Sequence, residues 1–207
     1  MRRIYLLSPA HCGGRRAGLL LSEKAGFELA CRLRSPGGAP LSEVFTFLSG
    51  LYFRGKVAYA GAFSSPPRGL PGALVITPGY GLRRPEEAIT LSFLRRLADV
   101  PIDPADRRYR GPLLRDVGRL AASAGPECHF ILLGSIATGK YLDLLTGVLG
   151  DRVRFPAEFV GRGDMSRGGL MLRCVDEGRP LRYVMLDPGD RHGRRPGRLP
   201  PRRRLAM

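Results

Sequence analysis

The 207-residue sequence has no tryptophan, three histidines and four cysteines, and only three of its 34 basic residues are lysine. Each scarcity closes off a class. Cys12, Cys31, Cys128 and Cys174 are scattered and form no C-x-x-C pair, so neither a zinc knuckle nor a disulfide framework is signalled, and reduced thiols are expected. With only His11, His129 and His192 to add, a metal centre would have to be assembled from distant segments, so no metal and no cofactor are expected. No stretch approaches the ~20 uncharged apolar residues of a membrane span, which predicts a soluble protein with no membrane partner. The N-terminus is basic and then apolar, but the apolar run ends at Ser8-Pro9, too short for a signal-peptide core. It is therefore read as the first strand of a cytoplasmic protein.

Acids are also scarce, 18 against 34 bases, which leaves a net charge of +16. An excess of that size attracts polyanions and makes affinity salt-dependent through counterion release. Two features temper it. Arginine dominates beside 28 Gly and 18 Pro, as a GC-rich coding bias would also produce, and seven arginines lie between Arg191 and Arg204 with no acid among them. Without those seven the rest of the chain still carries +9 of the +16. The expected partner is a nucleic acid or a nucleotide.

What is present is a regular alternation. Apolar runs bounded by turn residues predict strands at 3–8, 73–77, 128–133 and 181–186, with a weaker one at 152–155. Helical spacing predicts helices at 22–34, 41–63, 90–99, 113–124, 140–149 and 166–177, with Ser22 and Ser42 as N-caps, stops at Gly125-Pro126 and Gly178, and a break of the second helix at Gly50 or Gly55. Strands separated by helices point to a three-layer α/β fold, a mainly parallel sheet with helices on both faces. One domain over residues 1–187 is expected. Residues 188–207, rich in Arg, Pro and Gly, are expected to be a disordered tail.

In an open parallel sheet ligands bind beyond the carboxyl ends of the strands, so the residues that follow each strand are the candidates. After the first come Ser8, His11, Cys12, Gly13, Gly14 and Arg15, in which His11 or Cys12 suits acid/base or nucleophilic work and the glycines and Arg15 suit an anion; a flexible basic loop is the plain alternative. After the second, Tyr80 stands between Gly79 and Gly81, placed either to stack on a base or to pack on the core edge. After the third, Gly134, Ser135, Thr138, Gly139 and Lys140 satisfy G-x-x-x-x-G-K, but Tyr141 stands where a P-loop needs Ser or Thr for magnesium, so anion binding is favoured over NTP hydrolysis. The segment 182–187 has the pattern of a Walker B strand. After the weak strand, Glu158, Arg162, Asp164 and Ser166 offer an arginine fork for phosphate and a carboxylate for proton transfer, or else ion pairs and a helix cap on a surface loop.

The run Leu51-Tyr52-Phe53-Arg54-Gly55-Lys56-Val57-Ala58-Tyr59-Ala60, then Ile76-Thr77-Pro78-Gly79-Tyr80-Gly81-Leu82 and Pro85-Glu86-Glu87, resembles a bacterial and phage family of uncharacterised α/β domains, and Ile131-Leu132-Leu133-Gly134 and Phe155-Pro156 fit its second half. With Leu6-Leu7-Ser8-Pro9 the chain is also similar to the small domain of archaeosine synthase, which modifies a deazaguanine base in tRNA. Gly169-Leu170-Met171-Leu172-Arg173 resembles an element of YaaA-type peroxide-stress proteins, implicated in DNA protection. The resemblance implies an α/β fold and a link to modified or damaged nucleic acid. The archaeosine enzyme's Cys-Lys-Pro-Tyr run is replaced here by His11-Cys12-Gly13-Gly14-Arg15, so its lysine-transfer chemistry is not carried over.

Overall fold

Two six-residue runs, Arg-Arg-Ile-Tyr-Leu-Leu and Cys-His-Phe-Ile-Leu-Leu, are buried almost from end to end, as strands in the middle of a parallel sheet must be. A computed structural model describes residues 1–136 and 139–185 together with 193, 196, 197 and 199. In it these runs form β1 (Arg2–Leu7) and β6 (Cys128–Leu133), paired in parallel along their whole length. On the other side of β1 lies β3 (Ala73–Thr77), also parallel, and beyond β6 lies β7 (Val153–Pro156), again parallel. The edges are antiparallel: β4 (Gly81–Arg83) returns beside β3, and β8 (Tyr183–Val184) lies beside β7, giving the order β4-β3-β1-β6-β7-β8. A separate two-stranded ribbon pairs β2 (Ala39–Pro40) with β5 (Ala88–Ile89).

Among the described residues eight α-helices surround the sheet. α1 (Arg15–Leu21), α2 (Glu28–Arg34), α3 (Leu41–Ser49) and α4 (Leu51–Phe63) connect β1 to β3, and α5 (Leu91–Ala98) and α6 (Arg107–Ala124) connect β5 to β6. α7 (Leu142–Leu149) joins β6 to β7, and α8 (Asp164–Glu177) joins β7 to β8. Helix α4 packs on β1, β3 and α8 on one face of the sheet, while α6 and α7 pack together on the other. This is the expected three-layer α/β arrangement. Among the described residues no helix is long and apolar enough to cross a membrane.

Several boundaries differ from the sequence expectation, each for a local reason. Of the helix expected at 22–34 only 28–34 is helical, as α2, and Ser22 instead closes the preceding α1 by donating its N–H to the Gly18 carbonyl. Ser42 lies inside the first turn of α3, whose N-cap is Pro40. Helix α6 starts well before residue 113 because Asp106 caps it, accepting the Arg108 N–H at 2.8 Å, and because Pro112 costs the helix only one backbone bond. Gly50 breaks the 41–63 run at φ 63°, Gly125 closes α6, and Gly178 closes α8 in the left-handed conformation, as expected of glycine there. Of the strand expected at 181–186 the described residues show only 183–184, antiparallel to β7, which is not the parallel context of a Walker B strand; residues 186 and 187 of the Walker B-like segment lie outside the described residues. Nearly all of the 188–207 tail lies outside them as well.

Candidate functional site

The chain leaves β1 toward β3 on one side, and leaves β6 through α7 toward β7 on the other. The crevice between the carboxyl ends of β1 and β6 is therefore the topological switch point, where open α/β sheets bind ligands. A cleft of about 260 Å³ opens there, lined by Ser8, Pro9, Ala10 and His11 after β1, Ser135 and Tyr141 after β6, Leu48, Ser49 and Tyr52 from α3 and α4, and Asp164 at the start of α8.

Ser8 is held by a residue for which the sequence alone suggests no role. Lys56 is fully buried on α4, and its Nζ lies 2.7 Å from Ser8 Oγ and 3.0 Å from the Ser8 carbonyl. One helical turn earlier, the Tyr52 ring lies under the same ammonium, 4.0 Å from centroid to Nζ. Among the described residues no carboxylate forms an ion pair with Lys56. Burial lowers its ammonium from the usual 10.5 to about 7, Asp164 opposing the change and Arg167 adding to it. Lys56 therefore divides between its neutral and charged forms at neutral pH.

Glycines make this packing possible. At Gly134 a Cβ would stand 2.9 Å from Ser8 Cβ and 3.1 Å from Ser8 Oγ, so the absence of a side chain leaves room for the hydroxyl. Where α4 crosses α8, a Cβ at Gly55 would come within 2.8 Å of the Gly168 carbonyl oxygen, and one at Gly168 within 2.7 Å of the Leu51 carbonyl oxygen. The two backbones touch, and that contact sets Lys56 and Tyr52 against the beginning of α8. There Arg167, buried, donates from Nε and Nη2 to the Phe159 carbonyl at 3.2 and 3.1 Å and stands 3.6 Å from Asp164. The Asp164 carboxylate itself is largely exposed to the cleft.

Two phenols complete the walls. Among the described residues the buried Tyr52 hydroxyl has no partner at full hydrogen-bond geometry; burial pushes the phenol up, while the nearby Arg167 guanidinium draws it back. Tyr141 is pushed up by burial and by the Asp164 charge. Both remain neutral and form part of the cleft wall.

The structure gathers four of the sequence candidates, Ser8, His11, Ser135 and Asp164, in this one cleft, and Gly134 against it. His11 is exposed, its ring folded back over Gly13 and Gly14; a Cβ at Gly14 would lie 3.1 Å from Nδ1. Cys12 belongs to the hydrophobic core instead. Its thiol, pushed up to about 12 by burial, donates to the Ala10 carbonyl, so it is no thiolate nucleophile at neutral pH. Arg15 is exposed at the start of α1. Tyr80 lies away from the cleft with its ring on Phe93, centroids 4.7 Å apart, and with the Arg83 and Arg96 guanidiniums near it at 6.0 and 5.8 Å.

Lys140 is exposed and its carbonyl accepts the Tyr109 hydroxyl, while Gly139 takes φ 65° to make the turn. Thr138 lies outside the described residues. Tyr141, where a P-loop would carry its magnesium-holding hydroxyl, is the N-cap of α7 and part of the cleft wall. Glu158, Arg162 and Ser166 form a different group: Glu158 Oε1 accepts the Arg182 N–H next to β8, and Arg162 donates to the Glu158 carbonyl and to Ser166 Oγ. They hold the loop after β7 in shape and do not line the cleft. Among the described residues no group of three or more His, Cys, Asp or Glu is placed to hold a metal.

No protein-family model, no curated protein and no solved structure matches the chain.

Proposed function

We propose that the protein binds a nucleotide, free or as an unpaired base of a nucleic acid, with the base in the switch-point cleft, and acts on that base. The observation that carries this is the convergence of Ser8, His11, Ser135 and Asp164 with two neutral tyrosines in one cleft of about 260 Å³, in a chain of net charge +16. Pockets for drug-sized ligands run from ~300 to 1,000 Å³, so this one suits a single nucleoside-sized group and not a duplex. A base in double-stranded nucleic acid would have to be extruded to reach it. Tyr141 on the cleft wall supplies an aromatic surface for the base, and Ser8, Ser135 and Asp164 supply donors and acceptors for its edge. The phosphates would remain outside. Arg15 and Arg16 are exposed on α1, and Arg16 reaches back to the Phe47 carbonyl, two residues before the cleft-lining Ser49. The resemblance to base-modifying and DNA-protecting families points the same way.

A second reading rests on the charge alone: a non-catalytic protein that holds nucleic acid through a broad arginine surface. Fluorescence anisotropy with labelled single-stranded DNA, duplex DNA and RNA over a salt series separates the two. The cleft reading expects single strands to be preferred, nucleoside monophosphates to compete, and Ser49→Trp, which fills the cleft, to weaken binding at least tenfold. Steeply salt-dependent binding to all three polymers, with no competition and no effect of Ser49→Trp, would overturn it in favour of the arginine surface.

A further inference from the structure

We propose that Ser8 and Lys56 are a nucleophile and its general base, and that they transfer an acyl group from an uncharged ester or amide carbon held in the cleft. Three placements carry this. Ser8 lines the cleft, and its Oγ is 2.7 Å from Lys56 Nζ, within the range required of a nucleophile and its base. The amine is buried behind the serine, away from solvent, and the groups that face it are Ser8 from the end of β1, Tyr52 and Phe53 from its own helix, and Asp164 and Arg167 from α8. Gly134 keeps the space around the hydroxyl open. A lysine serving only as an anchor for the end of β1 would need the Ser8 carbonyl and not the hydroxyl.

The lining also selects the electrophile. Among the described residues the cleft wall carries one carboxylate, Asp164, and no arginine or lysine. An uncharged carbonyl carbon is compatible with that wall, whereas a phosphate dianion at the reacting position is not. In the first half-reaction the Ser8 Oγ–carbon bond forms as the Oγ proton passes to neutral Lys56. The carbonyl π electrons move to oxygen, facing the Ser135 hydroxyl and His11 on the cleft wall. The oxyanion collapses, the bond to the leaving oxygen or nitrogen breaks, and that atom takes the proton from Lys56. Water then attacks the acyl-serine, Lys56 accepts its proton and returns it to Oγ, and the acid departs. The sum is hydrolysis of one ester or amide by one water.

Burial has already lowered the Lys56 ammonium to about 7, so the base form is available at neutral pH. The nature of the ligand that carries the acyl group, a nucleoside, rests on the function proposed above; the serine–lysine chemistry does not.

The test uses the full chain with two probes, a fluorophosphonate and p-nitrophenyl acetate, read by intact mass and peptide mapping. With the fluorophosphonate, Oγ–P forms, P–F breaks, the serine proton goes to Lys56 and fluoride leaves. A single adduct on Ser8 is expected, with a rate that rises between pH 6 and pH 8. Ser8→Ala, checked for an unchanged melting profile, should remove the adduct and the esterase turnover. Lys56→Met should slow labelling by about 100-fold or more, the usual scale of general-base assistance; should that variant not fold, the wild-type pH profile is the reading of Lys56. Absence of a Ser8 adduct, an adduct confined to another residue, or a flat pH profile would overturn the proposal. If Ser8 is inert while nucleoside monophosphates still compete for the cleft, the dyad fails and the nucleotide function stands. If Ser8 is labelled and no nucleotide binds, the dyad stands and the nucleotide function fails.

Discussion

Replacing Lys56 with methionine should make the protein more stable in mild acid and less stable in base, and the crossing can be worked from the structure. Methionine keeps the length of the apolar stem and removes the amine. Burial lowers the wild-type ammonium from 10.5 to about 7, so below pH 7 the folded protein carries a charge that the unfolded chain carries more comfortably. The sign follows from proton counts: between these two values the unfolded state binds more protons than the folded state, so wild-type stability rises with pH. Integrating from pH 6 to pH 10 with these two values gives a change of about 4 kcal/mol. Against that, the variant leaves the Ser8 carbonyl and hydroxyl without their donor, a loss of roughly 1–3 kcal/mol at every pH. Lys56→Met should thus exceed wild type by about 2 kcal/mol at pH 6 and fall below it at pH 10. With no tryptophan in the chain, urea unfolding followed by far-ultraviolet circular dichroism is the direct assay. The difference between the two proteins cancels every other titrating group. A difference that stays constant from pH 6 to pH 10 would show that Lys56 is not the buried, charge-starved amine described above.

Four further outcomes follow from other contacts. Gly168→Ala drives a methyl into the Leu51 carbonyl where α4 and α8 touch, and should cost ~1–3 kcal/mol in urea unfolding and lower nucleotide affinity with it. Gly134→Ala presses instead on Ser8, 2.9 Å from its Cβ and 3.1 Å from its Oγ, so it should slow Ser8 labelling as well as lower stability in urea unfolding. Tyr183→Phe removes the hydroxyl shared at 2.6 Å by Tyr5 and Tyr59, unpinning β8 from the sheet, with a loss of ~1–3 kcal/mol seen as a lower melting temperature. Under native conditions iodoacetamide should alkylate the exposed Cys31 well before Cys12, which is buried with its thiol pushed up to about 12; mass mapping over time checks the order.

The central layer was legible because a parallel strand buried on both faces writes a continuous apolar run, and Ile4 to Leu7 and Phe130 to Leu133 do so plainly. The edges were not. Gly81–Arg83 reads as a turn, since its pairing with β3 depends on two positive-φ glycines and on Asp116 from a helix 34 residues away, which accepts the Leu82 N–H. The helix start at residue 15 was missed because no side chain caps it, and the start at residue 107 because the Asp106 cap is followed by Gly111-Pro112, which reads as a helix boundary although the helix runs through it.

The same division explains the candidate site. The rule that ligands sit beyond strand ends led from sequence to Ser8, His11, Ser135 and Asp164, which share a cleft, but it led equally to Tyr80, Cys12 and Arg162, which do not. Local pattern can say that a residue follows a strand; it cannot say which way the side chain turns. Lys56 was hidden for the opposite reason. In sequence it is one cation in a helix with Arg54, and only the spacing Tyr52, Lys56, Ala60 places it on the buried face, four residues from each apolar neighbour. A lysine that continues an apolar stripe at helical spacing is costly unless something inside receives its amine. Here that receiver is Ser8, a strand-end hydroxyl at the switch point. The two halves of the candidate dyad are therefore explained by one constraint: the serine is where the sheet topology opens, and the lysine is tolerated in the core because the serine is there.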